Sequence, residues 1–167
     1  MLSKQRNYGV AAPYIFNLET VPTAFKAARL LKSPIILDFV SVHSIEKVCE
    51  IARFYERKYL EVIVVLNLDH DNTYEQAIRE ICASYTSVMI DLSTLPFQEN
   101  VLKVREIVKI TCSVGVSVEA ELWPRGVGHE YSKTRDSGLT NPKKAIEYVK
   151  QTNVHCLAVA VGTCHGT

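Results

Sequence analysis

The sequence predicts an α/β fold in which strands of a parallel sheet alternate with helices. Two observations carry that prediction. Strand-like and helix-like segments alternate along nearly the whole chain, giving six β segments with five helices between them. The run Val64-Val65-Leu66-Asn67-Leu68 is almost continuously apolar, the pattern of a strand covered on both faces, as in parallel sheets. That run ends in Asp69-His70. An acid beside an imidazole at the carboxyl end of such a strand stands where parallel α/β folds keep their chemistry.

The elements follow in order. Tyr8 to Ile15 is a short apolar first strand interrupted by Pro13. Asn17 to Leu31 reads as a helix, with Val21, Ala24, Phe25, Ala28 and Leu31 on one face. Ser33-Pro34 turns the chain into a second strand, Ile35 to Val40, and Ser44 to Tyr59 is the second helix. The third strand runs from Val62 to Leu68. Thr73 caps a helix that reaches about Ser84, with Gln76 at the capping-box position. Ser87 to Asp91 is the fourth strand, Pro96 to Cys112 the next helix and Val114 to Leu122 the fifth strand. Asn141-Pro142 opens a helix to about Gln151, with proline in its first turn. Cys156 to Val161 is the sixth strand. The one long irregular stretch, Trp123 to Thr140, holds Gly126, Gly128 and Gly138, and loops of that length are commonly functional or disordered.

Composition narrows the function classes. With 167 residues the chain can build one sizeable core and is read as a single domain. Apolar residues make up 47%, charged residues 22%, and the net charge is +1, which gives no electrostatic reason to expect nucleic acid or an anionic membrane. No apolar stretch reaches the length of a membrane span, and the polar start Met1-Leu2-Ser3-Lys4-Gln5-Arg6 lacks a secretory core. The five cysteines, Cys49, Cys82, Cys112, Cys156 and Cys164, are far apart and form no CxxC pair. They read mostly as small buried residues in a reducing cytoplasm rather than as disulfides or a zinc knuckle.

The strand ends carry the chemistry. Strand three ends in Asp69-His70 and strand four in Asp91-Leu92-Ser93. Strand five carries Glu119 and Glu121, two residues apart and so on one face. Strand six ends in Gly162-Thr163-Cys164-His165-Gly166. Two imidazoles and several carboxylates on one rim suit a divalent metal bound by nitrogen and oxygen. Glycines beside His165 let backbone N–H groups approach an anion such as phosphate. Each residue also has a plainer reading. His43, His129 and His155 read as ordinary surface or core histidines. Asp91 could cap the following turn, and Glu119 and Glu121 could form ion pairs inside a barrel layer. Asp71, Asn72, Lys143 and Lys144 read as solvated.

Five ordered motifs resemble a known family. They are Asn67-Leu68-Asp69-His70, Ser87-Val88-Met89-Ile90-Asp91, Leu95-Pro96-Phe97-Gln98-Glu99-Asn100, Val116 to Leu122 (Val-Ser-Val-Glu-Ala-Glu-Leu) and Leu157 to Gly166 (Leu-Ala-Val-Ala-Val-Gly-Thr-Cys-His-Gly). Together they resemble the class II ketose-bisphosphate aldolases, the fructose- and tagatose-bisphosphate enzymes, from about Tyr8 to Thr167. Asn17-Leu18-Glu19-Thr20 and Ser33 to Leu37 extend the likeness toward the N-terminus. The resemblance implies a TIM (β/α)8 barrel, a zinc ion with a position for a second divalent or monovalent cation, and reversible cleavage of fructose or tagatose 1,6-bisphosphate to dihydroxyacetone phosphate and glyceraldehyde 3-phosphate. It places Asp69 as the proton-transferring acid, His70 and His165 as zinc imidazoles, Asp91 and Glu121 as carboxylates of a secondary metal position, and Gly166 as a backbone contact to the ketose phosphate. It further implies a cytoplasmic lyase of carbohydrate metabolism with a sugar-bisphosphate substrate, no nucleic acid and no membrane, as a homo-oligomer or associated with another aldolase chain.

Departures from the family pattern set further expectations. The chain stops at Thr167 after the sixth strand, so residues 1–167 are expected to be one aldolase-like barrel domain truncated at its C-terminus, an incomplete (β/α)8 barrel of roughly the first six βα units. The family's third zinc imidazole and its Asn-rich phosphate loop belong to strands seven and eight, so activity of this chain alone is expected to be low. The alternative expectation is a non-catalytic truncated paralogue or a companion subunit of an aldolase. The first strand reads Val10-Ala11-Ala12-Pro13-Tyr14 where the family reads like Val-Pro-Ala-Phe-Asn, Asn67 stands where His is common, and Trp123 replaces a small residue.

Overall fold

The computed structural model describes residues 5, 7–39, 44–71, 73–122 and 139–162. Strands and helices alternate as β1 (Tyr14–Ile15), α1 (Thr20–Leu31), β2 (Ile35–Phe39), α2 (Ile45–Lys58), β3 (Val64–Asp71), α3 (Tyr74–Cys82), β4 (Ser87–Ile90), α4 (Phe97–Ser113), β5 (Ser117–Glu121), α5 (Pro142–Thr152) and β6 (Cys156–Ala158). The strands form one six-stranded sheet in the order β1-β2-β3-β4-β5-β6. The pairings of β1 with β2, β2 with β3 and β5 with β6 are parallel. Chain order equal to strand order, with a helix in every crossover, is the connectivity the sequence predicted. Among the described residues no helix is long and apolar enough to cross a membrane.

The chain divides into two compact units, Met1–His70 with Ile78–Val88, and Asp71–Ala77 with Met89–Thr167. In the first, α1 packs on α2 and β2. Val21, Phe25 and Ala28 recur at helical spacing along α1 and are its buried residues. They join Leu37, Phe39, Ala52, Leu66, Leu68 and Tyr85 in one apolar cluster. Lys32 ends α1 in the left-handed conformation at φ 49°, its N–H bonding to Ala28 and Arg29 carbonyls. Ser44 begins α2, its side chain accepting the Lys47 N–H. In the second unit, α4 packs on β5 and α5, and β5 on β6. The buried stripe of α4 is Asn100, Val101, Val104, Ile107, Val108 and Thr111. Thr73 Oγ1 accepts the Gln76 N–H at 3.2 Å, the cap expected from the sequence.

Of the boundaries that differ from the sequence expectation, four have a clear local reason. β1 is only two residues long, preceded by an isolated bridge from Ala11 to Ile35, because Pro13 has no N–H to give a ladder. β5 starts at Ser117 rather than Val114, since Val114 and Val116 both send their N–H back to Thr111 O and Gly115 turns at φ 75°. β6 stops at Ala158 rather than Val161, because the Ala160 N–H goes to Thr140 Oγ1 and the Thr140 N–H to Ala160 O. β3 runs past Leu68 to Asp71, so Asp69 and His70 belong to the strand itself. The cysteine expectation is also corrected. Cys49 is buried, but Cys82, Cys112 and Cys156 are exposed, being placed at helix ends and on the terminal strand of the sheet. Residues 123–138 of the expected long loop, and His43, His129 and Cys164, lie outside the described residues.

Candidate active-site rim

The first unit builds an acidic corner from three neighbouring strands. Tyr14 of β1 stands opposite Asp38 of β2, and Asp38 opposite Asn67 of β3. Asp69, two residues beyond Asn67, shares its face. The Tyr14 hydroxyl donates to Asp69 Oδ2, and Asn67 Nδ2 donates to Asp38 Oδ1 at 2.9 Å. The next residue, His70, has φ 60°, left-handed backbone that a non-glycine residue rarely adopts. That twist interrupts the strand's alternation and leaves the His70 Nε2 3.7 Å from Asp69 Oδ2. Strain of this kind costs on the order of 1–3 kcal/mol and gathers at functional sites. The side chain of Asp69 is 11% exposed and that of His70 31%. Burial pushes the Asp38 carboxyl up from 3.8 to about 6; the Asn67 hydrogen bond opposes the rise, the Asp69 charge adds to it and His70 lowers it.

The second unit supplies two carboxylates. Asp91 directly follows β4 and Glu121 is the last residue of β5. Each offers an oxygen, and the two lie within 4.8 Å of one another. Glu121 is buried and Asp91 half-buried. Asp91 Oδ1 also accepts the Ser93 N–H at 3.0 Å, so it does cap its turn while facing Glu121. Two carboxylate oxygens this close form an arrangement that a cation between them could hold. The donors present, imidazole nitrogen and carboxylate oxygen, suit zinc and harder divalent ions.

Behind these carboxylates lies a buried amide. Asn100 Nδ2 donates to the Leu92 carbonyl at 2.9 Å and to the Glu121 carbonyl at 3.1 Å. The Tyr148 hydroxyl donates to Asn100 Oδ1 at 2.6 Å. Burial, and then the charge of Asp91, push the Tyr148 phenol well above its usual range, so it remains a donor.

Of the residues singled out from the sequence, Asp69 and His70 are adjacent in one unit and Asp91 and Glu121 adjacent in the other. His165 and Gly166 lie outside the described residues. His155 is structural, as read: its Nδ1 accepts the Val118 N–H at 3.1 Å and its Nε2 lies 3.7 Å from Cys112 Sγ. Sequence reasoning missed the roles of Tyr14, Asp38, Asn100 and Tyr148. Asn100 left a signal, because it stands on the apolar face of its helix in line with Val104, Ile107 and Thr111, where a polar residue needs partners. Tyr14 and Asp38 left none, since their role depends on cross-strand register.

A family model described as fructose-bisphosphate aldolase class-II matches residues 2–167. The fructose-bisphosphate aldolase of Giardia intestinalis is 37% identical over 171 residues, covering 98% of this chain and 52% of that protein. That of Helicobacter pylori is 35% identical over 169 residues, covering 97% of this chain and 55% of that protein. This chain therefore spans about half the length of the curated relatives it matches. The crystal structure of the YdjI aldolase from Escherichia coli K12 superposes with a TM-score of 0.83 at 29% identity, over 98% of this chain and 60% of that one. With the strand order, the rim acids and a match over nearly every residue, the chain belongs to the class II fructose-bisphosphate aldolase family.

Proposed function

We propose that this chain serves a zinc-dependent ketose-bisphosphate aldolase, cleaving fructose or tagatose 1,6-bisphosphate reversibly into dihydroxyacetone phosphate and glyceraldehyde 3-phosphate. Residues 1–167 would supply six of the eight βα units of one barrel domain, working in the cytoplasm. The observation that carries the reading is Asp69 beside His70 at the carboxyl end of β3, with the Tyr14 hydroxyl on the acid. His70 and His165 are the proposed zinc imidazoles, Asp91 and Glu121 the carboxylates of a secondary cation position, and Gly166 a backbone contact to the substrate phosphate. When bound, zinc supplies a Lewis acid that polarises the ketose carbonyl.

The protein's own residues handle the proton. As the C3–C4 bond breaks, Asp69 accepts the proton of the C4 hydroxyl, the C4 oxygen becomes the aldehyde, and the bonding pair passes to C3. In the synthetic direction the same carboxyl returns that proton. Tyr14 fixes which way the carboxylate faces, and its hydrogen bond to a charged acceptor contributes about 1.5–3 kcal/mol to holding it there.

The test is aldol cleavage by the purified chain, assayed with both bisphosphates, with zinc and after chelation. The expected result is a low rate of cleavage that the chelator abolishes and that Asp69→Asn removes with the fold intact. Cleavage that survives chelation, or no cleavage of either bisphosphate by zinc-loaded chain, counts against the proposal. A second reading, companion subunit of another aldolase chain, is favoured by the exposure of large apolar side chains such as Leu30 at 83% and Leu60 at 84%. A chain inactive alone that co-purifies with a full aldolase and raises its turnover would select that reading.

A further inference from the structure

We propose that Asn100 and Tyr148 are positioning residues that set the separation of the Asp91 and Glu121 carboxylates, and through it the affinity of the cation position these acids form. The inference rests on the proposed metal role of those two acids and goes beyond it to the groups that hold them.

A buried asparagine has two N–H groups and an oxygen to satisfy. Asn100 gives both N–H groups to carbonyls at the carboxyl ends of two strands: that of Leu92, the residue after Asp91, and that of Glu121 itself. The amide thus joins the two backbone segments that carry the ligands. Neither segment can move away from the other without breaking a hydrogen bond inside a site that is 1% exposed at Asn100. The tether holds the segments that keep the Asp91 and Glu121 oxygens within 4.8 Å of one another.

Tyr148 completes the tether by holding the amide oxygen. An amide can be turned end for end with little change of shape, which would aim its oxygen at two carbonyls. The Leu92 and Glu121 carbonyls can only accept, so they fix the arrangement with the N–H groups toward them, and the Tyr148 hydroxyl satisfies the remaining Oδ1 at 2.6 Å. Tyr148 is itself fully buried. Its ring stands edge-on to Phe97 with centroids 6.0 Å apart. The chain from α5 through Tyr148 and Asn100 to the Glu121 backbone therefore consists of groups with little freedom. Preorganising ligands in this way raises metal affinity without adding a donor.

The experiment is zinc titration of the purified chain by calorimetry, with cobalt substitution to read the ligand field from the visible spectrum. Three variants are compared with the wild type: Tyr148→Phe, Asn100→Leu and, as a control that removes a hydrogen bond to the Tyr148 backbone carbonyl but leaves the hydroxyl–amide contact in place, Thr152→Val. The expected result is at least a tenfold loss of affinity at the carboxylate position in Tyr148→Phe, a larger loss in Asn100→Leu, and a changed cobalt spectrum in both. Thr152→Val should keep the wild-type affinity and spectrum even if it melts earlier. Should Asn100→Leu fail to fold, Tyr148→Phe, which removes one oxygen and keeps the ring, decides the matter. Wild-type affinity and spectrum in Tyr148→Phe overturn the positioning role and leave the proposed metal site standing. A loss that Thr152→Val reproduces in full makes the effect one of stability and also overturns it. A wild-type chain that takes up no zinc or cobalt overturns the metal site and this inference together.

Discussion

Asp38 is a carboxyl held in an unfavourable place. It is partly buried between Tyr14 and Asn67, and its pKa rises from 3.8 to about 6 because burial disfavours the charge. The folded pKa thus lies above the unfolded one, and between about pH 4 and pH 6 the folded chain binds more protons than the unfolded chain. The stability contribution is present below that window and is lost as pH rises through it. After allowance for partial exposure, the loss at pH 7 is about 1–2 kcal/mol. Asp38→Asn retains an acceptor for Asn67 Nδ2 and removes the charge. It should raise stability at pH 7 by about 1–2 kcal/mol and have little effect at pH 4. Urea unfolding at the two pH values checks this; equal effects at both would mean that the carboxyl is not held at a cost. A natural sequence keeps such a group where activity has a use for it, and Asp38 lies one strand from Asp69 in the row that Tyr14 completes.

At the scale of elements, the helices are set by their ends. Asn141 accepts the N–H groups of Lys143 at 2.9 Å and Lys144 at 3.3 Å, and Pro142 occupies the first helical position, where its missing N–H costs nothing. Asn141→Ala should lower stability by about 1 kcal/mol. In a chain of this size that is a drop of roughly 2–4 °C in melting temperature. Differential scanning measures it, and an unchanged melting point would show that α5 is held by packing alone. Because α5 carries Tyr148, this cap also supports the amide beneath the rim acids. Caps and apolar periodicity are local, which is why α1 to α5 could be read from the sequence, as could Asp69, His70, Asp91 and Glu121 at strand ends. What could not be read depends on partners distant in the chain. The stop of β6 needs Thr140, the twist at His70 has no sequence marker, and the roles of Tyr14 and Asp38 arise only when β1, β2 and β3 align in register. The cysteines misled because helix ends and a terminal strand leave small apolar side chains open to water.

For the molecule as a whole, the proposed metal couples binding to folding. Asp91 follows β4 and Glu121 ends β5, so an unfolded chain has no means of presenting them together, and an ion they bind stabilises the folded chain alone. At a free zinc concentration one hundred times the dissociation constant, the gain is about 2.7 kcal/mol. For a chain of this length that corresponds to a rise of roughly 5–10 °C in melting temperature, reversed by chelator. Glu121→Gln should remove most of the rise, since the buried carboxylate is a principal source of negative charge in the group. His70→Gly should reduce it by a different route, taking away a nitrogen donor while glycine suits the backbone at φ 60°, so the apo form of that variant should melt no lower than the apo wild type. The two substitutions therefore separate metal binding from general damage. Loss of the zinc response with apo stability retained marks His70 as a ligand, whereas a melting temperature that ignores zinc and chelator in the wild type would leave the strand-end donors without an ion to hold.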